Sequence, residues 1–119
     1  MAENEPIKIM FVCSMNQWRS PTAEKIYSDK PSVVARSAGT NKGARRSVRS
    51  SDLVWADLVL VMEQKHKQRV MAAFPGEMKF KTLHVLDIPD DYQYMDPELI
   101  EEITSAVDPL LQNFRNEDS

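Results

Sequence analysis

The segment Ile7-Lys8-Ile9-Met10-Phe11-Val12 ends in an unbroken apolar run and passes straight into Cys13-Ser14-Met15-Asn16-Gln17-Trp18-Arg19-Ser20-Pro21. An unbroken run, rather than an alternating one, suits a strand covered on both faces, as in a parallel sheet. Ser20-Pro21 reads as an N-cap and first helical residue, because Pro needs no amide donor there and its fixed φ suits a helix start. The spacing predicts a helix from Pro21 to about Ser28. Strand, short loop and helix in this order restrict the fold to a sheet with helices packed on it.

The rest of the chain repeats the alternation. Val33-Val34-Ala35-Arg36 reads as a second strand running into Ser37-Ala38-Gly39-Thr40, and Asp57-Leu58-Val59-Leu60-Val61-Met62 is the clearest buried strand. A short helix is expected over Ser51 to Trp55. A longer one should cover Gln64 to Phe74, stopped by Pro75-Gly76, before a fourth strand at Thr82-Leu83-His84-Val85-Leu86. Asp87 to Met95 is then a loop. From Pro97 to about Phe114, Leu99, Ile103, Ala106 and Leu110 recur at helical spacing, which predicts an amphipathic helix lying on the sheet and capped by Asp96. Arg115 to Ser119 is expected to fray. The alternation implies an α/β fold with a parallel sheet, whose ligands bind outside the carboxyl ends of the strands. The Cys13 segment and the Asp87 to Met95 segment should therefore emerge on one edge.

With 119 residues the chain fits one domain, 1–119. No apolar run approaches the ~20 residues that cross a bilayer, and Met1 to Pro6 lacks the basic and apolar regions of a secretory signal, so a cytoplasmic location and no membrane partner are expected. A net charge of -3 argues against general nucleic-acid binding. Arg36, Lys42, Arg45, Arg46 and Arg49 cluster mid-chain, and acids dominate from Asp87 to Glu102. Both clusters read first as solvated surface, with steering of a substrate or partner as the alternative. The single cysteine excludes an internal disulfide framework. His66 and His84 have no partner spacing for a metal and read as structural or surface residues.

Cys13 and Arg19 are separated by five residues. A loop of that length can curl so that successive backbone N–H groups point inward, and the following helix adds its positive end, forming an anion nest suited to phosphate or another oxyanion. Arg19 brings a planar guanidinium able to grip two phosphoryl oxygens, and positive surroundings of this kind favour a nucleophilic thiolate. Asn16 sits where the curl needs a left-handed backbone, which Asn tolerates. Ser20 can cap the helix or hydrogen-bond the Cys13 sulfur. The plainer alternative makes Cys13 a buried strand-end cysteine and Arg19 a surface charge. On the facing loop, Asp87, Asp90 and Asp91 are all candidates to protonate a leaving group. Tyr92 and Tyr94 either wall the pocket or pack on the C-terminal helix.

Val12-Cys13 with Asn16, Arg19-Ser20-Pro21 and Ala23-Glu24 resembles the signature of the low-molecular-weight protein tyrosine phosphatases. Ser37-Ala38-Gly39-Thr40, Ala56-Asp57-Leu58 to Met62-Glu63, and Asp87-Ile88-Pro89-Asp90-Asp91-Tyr92 resemble further family segments in the same order. The resemblance implies a three-layer, four-stranded parallel sheet of flavodoxin-like order, metal-free catalysis without a cofactor, and a phosphocysteine intermediate. Carried over, it makes Cys13 the nucleophile, Arg19 the transition-state clamp and Asp90 the general acid. Asn16 and Ser20 organise the loop, Ser14, Met15, Gln17 and Trp18 complete the substrate seat, and Tyr92 flanks it. The implied substrate is a phosphorylated protein or small aryl phosphate of the phosphotyrosine type.

Several positions depart from the family. Met15 stands for the usual Gly, Trp18 for a frequent second cysteine, and Asp91 for a Pro, so the rim is bulkier and a like charge sits beside Asp90. The stretch from Thr40 to Ala56 is shorter and should lack a helix flanking the cleft. The rival readings are an arsenate reductase using an external thiol, and a phosphate-loop binding module or pseudoenzyme that recognises phosphorylated partners.

Overall fold

The computed structural model describes residues 5–118. Most of the Met1 to Pro6 segment, and Ser119 of the expected tail, lie outside the described residues. Strands β1 (Ile7–Cys13), β2 (Val33–Gly39), β3 (Leu58–Val61) and β4 (Thr82–Val85) form one parallel sheet in the order β2-β1-β3-β4. Every neighbouring pair is parallel, with Cys13 opposite Gly39 and Val12 opposite both Ala38 and Val61. The chain turns from β1 to one side to make β2 and later returns to the other side for β3. The carboxyl end of β1 is therefore the switch point of the sheet, where open α/β folds leave a crevice.

The period-two alternation of β1 divides the core. Ile9 and Phe11 face α1 (Arg19–Ser28) and the long C-terminal helix, together with Tyr27, Leu99, Ile103 and Val107. Met10 and Val12 face the opposite layer with Leu53, Val70 and Met78, contributed by α2 (Ser50–Trp55), α3 (Gln64–Ala73) and α4 (Pro75–Met78). Both faces are thus covered, which is why β1 and β3 carry no alternation. The C-terminal helix, α5 (Pro97–Asp118), buries Leu99, Ile103 and Val107 as its spacing predicts. Asp96 caps it, its Oδ1 accepting the Glu98 N–H at 2.9 Å. Tyr27 stacks on Phe11 and donates its hydroxyl to Asp108 Oδ1 at 2.6 Å, tying α1 to α5.

Two expectations are corrected and one element is added. Ser20 is not the N-cap: α1 begins at Arg19, with Trp18 at the cap position and no side-chain cap bond. Pro75 does end α3, but it also opens the single turn α4, since Pro suits a first helical position. The expected frayed tail is helical through Asp118. Among the described residues no helix is long and apolar enough to cross a membrane.

Candidate active site

The Cys13 to Arg19 loop is shaped from outside by its own carbonyls. Cys13 O accepts from Thr40 N at 2.9 Å, Ser14 O from Asn41 N at 3.0 Å, and Met15 O from Arg45 N at 2.9 Å. Arg45 then reaches Asn16 O with its Nε at 2.9 Å. In a trans peptide the N–H of the next residue points opposite to the carbonyl. Fixing these carbonyls outward against residues 40–45 therefore turns the N–H groups of Ser14, Met15, Asn16 and Gln17 toward the other side. That of Asn16 is found 3.3 Å from Cys13 Sγ.

The curl closes at Asn16, whose φ of 57 is the left-handed value expected for it. Its buried amide donates to Ser20 Oγ and Ser37 Oγ, each at 2.9 Å. Ser37 in turn donates to Glu24 Oε1, the glutamate of the Ala23-Glu24 pair. Ser20 Oγ lies 3.0 Å from Cys13 Sγ, so its hydroxyl serves the sulfur, and α1 begins without it. The first-turn N–H groups of α1 consequently have no side-chain cap, and the turn carries no acid. A helix end in this state favours an anion.

Gly39 belongs to the same construction. A Cβ there would sit 2.3 Å from Ser14 O and 2.7 Å from the Ala44 Cβ, so only glycine lets the loop and residues 40–45 meet. Residues 40–49 stand where a flanking helix was expected to be missing, and they act as a strap. Arg46 secures it, donating to Ser37 O at 2.8 Å and to the fully buried Asp52 at 2.6 Å. Burial alone would raise the Asp52 carboxyl, but its bonds from Arg46 and the Arg49 N–H outweigh that and hold it low. Arg36 also pairs with Asp52 and lies 4.0 Å above the Trp55 ring. Of the basic cluster, Arg45 is exposed and Arg36 and Arg46 are partly so, as a surface reading expects, yet all three also direct donors into the fold.

Arg19 is 2% exposed and joins three segments. Its Nη1 pairs with Glu63 Oε2 and donates to Ile88 O at 2.8 Å, while its Nε lies 3.7 Å from Asp90 Oδ1. Burial would raise the Glu63 carboxyl, yet the bond and charge of Arg19 hold it below the usual range. The acid loop is anchored by Leu86 N to Val61 O, Ile88 N to Met62 O, and Met95 N to Thr22 Oγ1. Ile88 is buried, so Asp90 stands two residues beyond a fixed point. Of the three candidate aspartates, Asp90 is the one in reach of Arg19. Tyr92 is half-buried against the Phe11 core cluster, which favours the packing alternative for it, and Tyr94 is half-exposed. Gln17 and Trp18 are exposed on the rim, and Met15 Sδ accepts from Asn41 Nδ2 at 3.2 Å.

Glu63 and His66 were not among the expected site residues. His66 is fully buried, which agrees with the structural half of its expected reading, and it supports the loop through Ser14. Its Nδ1 accepts the Glu63 N–H at 3.0 Å, taking the part a Glu or Gln plays three residues into a capping box. With Nδ1 an acceptor, a neutral ring carries its proton on Nε2, which donates to Ser14 Oγ at 2.8 Å. The available signal was the sheet rule: both residues follow β3, which ends on the same edge as β1. His84 is exposed on β4. Among the described residues no group of three or more His, Cys, Asp or Glu side chains converges to hold a metal.

Burial, then the neighbouring Arg19 charge, push His66 down to about 4 against the opposing pull of Glu63. An unfolded histidine titrates near ~6.5, so between these values the unfolded chain binds more protons, and stability rises with pH. It is lost as pH falls from about 6.5 toward 4, by roughly 3 kcal/mol at 1.36 kcal/mol per tenfold change in proton affinity. Urea unfolding followed across this range should show that loss. His66→Gln, which keeps an acceptor and a donor, should flatten the slope, and an unchanged slope would assign the pH dependence elsewhere.

No protein-family profile matches the chain. A protein-arginine-phosphatase of Geobacillus stearothermophilus is 35% identical, over 65% of this chain and 68% of that protein. The solved YwlE arginine phosphatase of Geobacillus stearothermophilus superimposes with a TM-score of 0.74 at 23% identity, covering 94% of this chain and 95% of that one. A low molecular weight phosphotyrosine phosphatase of Vibrio cholerae gives 0.71 at 20% identity, covering 93% and 98%. The two structures share the fold, and the sequence relative shares more than two thirds of its length. The chain belongs to the low-molecular-weight protein tyrosine phosphatase family of hydrolases.

Proposed function

We propose that the chain is a phosphatase acting on phosphorylated protein side chains, with Cys13 as nucleophile, Arg19 and the inward N–H groups as the phosphoryl seat, and Asp90 as general acid. The observation that carries this reading is the Cys13 sulfur set inside the curl, 3.0 Å from Ser20 Oγ and 3.3 Å from the Asn16 N–H. The thiolate attacks phosphorus, forming an S–P bond as the P–O bond to the leaving group breaks. Asp90 gives its proton to the departing oxygen. A water then attacks phosphorus, surrenders a proton to Asp90, and inorganic phosphate leaves as the S–P bond breaks. A free reactive thiol suits a reducing compartment, which supports a cytoplasmic site of action.

The substrate class is the phosphotyrosine type, for which an acid on the facing loop assists a phenolate leaving group. Phosphoarginine is the second reading, supported by the protein-arginine-phosphatase relative. Turnover of an aryl phosphate, phosphotyrosine, phosphoarginine and arsenate should be compared with chelator present, with quenched samples searched for phosphate on Cys13. Hydrolysis that persists with chelator and labels Cys13 is expected. Activity that vanishes with chelator, or a label elsewhere, would overturn the reading.

Asp90→Asn should reduce turnover of phosphotyrosine by ~10²–10⁴-fold, the range for loss of a positioned acid. Asp91→Asn should change it little, because Asp91 makes no ion pair with Arg19 among the described residues. The reverse ranking would transfer the role to Asp91.

A further inference from the structure

Behind the catalytic loop, on the side away from the Cys13 sulfur's inward donors, lies a cavity of about 260 Å³ between the strap and α3. Its apolar lining is Val48, Val70, Ala73 and Phe74, of which Val70 is buried and Ala73 exposed, and it also carries the exposed cations Lys42 and Arg69. No acid lines it among the described residues. Thr40 stands in its wall, and the buried Thr40 Oγ1 has no hydrogen-bond partner among the described residues. An apolar lining beside two cations is complementary to a flat hydrocarbon bearing a negative charge. The volume exceeds the ~150 Å³ that holds a benzene and falls short of a drug-sized pocket, so it suits a fused bicyclic ring.

Both walls of this cavity are hydrogen-bonded to the catalytic loop. From the strap, Thr40 N and Asn41 N hold Cys13 O and Ser14 O. On the other side, α3 contributes Arg69, Val70 and Ala73 to the cavity and His66 to Ser14 Oγ. Asn41 is the joint between them. Its Oδ1 accepts from Arg69 Nη1 at 2.6 Å while its Nδ2 touches Met15 Sδ at 3.2 Å. A carboxylate in the cavity would compete with that uncharged amide oxygen for the guanidinium, because it can form an ion pair and accept two parallel N–H bonds where the amide oxygen accepts one.

We propose that this cavity is a second binding site, for a small aryl carboxylate, and that its occupation is coupled through Asn41 to the anion-binding loop. The binding half stands independently of the phosphatase reading; the coupling half rests on that reading only in assigning phosphate to the loop. By linkage, the aryl acid and phosphate must alter each other's affinity by the same factor.

The full chain should be titrated with 1-naphthoate while inorganic phosphate saturates the loop, with backbone and methyl NMR signals as the readout. Shifts at Thr40, Val48 and Val70 are expected to persist under phosphate. Arg69→Ala should weaken 1-naphthoate at least ~10-fold, the scale of a hydrogen bond to a charged group. Ala73→Trp, at an exposed position, should abolish binding by filling the cavity with the fold intact. The phosphate dissociation constant should change by ~5-fold or more with the cavity occupied. Shifts confined to residues 13–19 and erased by phosphate, or affinity indifferent to both variants, would overturn the site. An unchanged phosphate affinity would overturn the coupling. A chain that binds 1-naphthoate as described but hydrolyses no phosphate compound would overturn the functional reading and leave the site standing.

Discussion

Replacing Cys13 with serine is expected to lower turnover by ~10⁶-fold, the scale on which a covalent mechanism fails without its nucleophile. A serine hydroxyl is not ionised near neutral pH, and among the described residues the hydrogen-bond partners at this position are Ser20 Oγ and the Asn16 N–H, neither of them a base. The phosphate seat should survive, because the loop is shaped from outside by Thr40, Asn41 and Arg45 rather than by the sulfur. Affinity for inorganic phosphate should therefore change far less than turnover. Steady-state kinetics with an aryl phosphate and a phosphate titration of the same variant separate the two effects. A serine variant that keeps measurable turnover, or that loses phosphate binding in proportion, would make Cys13 a structural residue.

The parts of this site legible in the sequence are those whose constraint is local. The Cys13 to Arg19 spacing follows a buried strand, and the curl's demand for a left-handed residue lands on Asn16, as its φ of 57 shows. The sheet edge that joins Cys13 to the acid loop follows from the alternation of strands and helices, and Ile88 O receives Arg19 there. What was not legible depends on side chains that choose between competing partners. Ser20 has the residue type and position of an N-cap, an advantage of ~1 kcal/mol, but its hydroxyl is held between Cys13 Sγ and the Asn16 amide. His66 resembles any helix histidine until the fold brings Ser14 within 2.8 Å. Arg45 and Arg46 look like surface charge because nothing local shows that residues 40–49 fold onto the loop's carbonyls. The same strap hides the requirement for Gly39, which comes from a contact with Ser14 O and not from a turn.

Arg19→Lys is expected to reduce turnover by ~10³–10⁵-fold, the range for losing an arginine that clamps a transferring phosphoryl group. Lysine keeps the positive charge, so a purely electrostatic role predicts a small effect. The structure argues otherwise. Nη1 is held by Glu63 and Ile88 O, which leaves the rest of the planar fork to meet phosphoryl oxygens in a fixed plane. An ammonium can neither divide itself between those anchors and the substrate nor present two parallel donors. It also removes the bond from α1 to Ile88 O, two residues before Asp90, and leaves the loop tied to α1 at its far end, through Met95 N and Thr22. Because Asp90 lies 3.7 Å from Arg19 Nε, the phosphoryl seat and the acid should deteriorate together, so the double variant with Asp90→Asn should cost much less than the product of the single effects. Phosphate affinity, kcat and the double-mutant cycle are the measurements. Full multiplicativity would show that Arg19 holds phosphate without organising the acid loop.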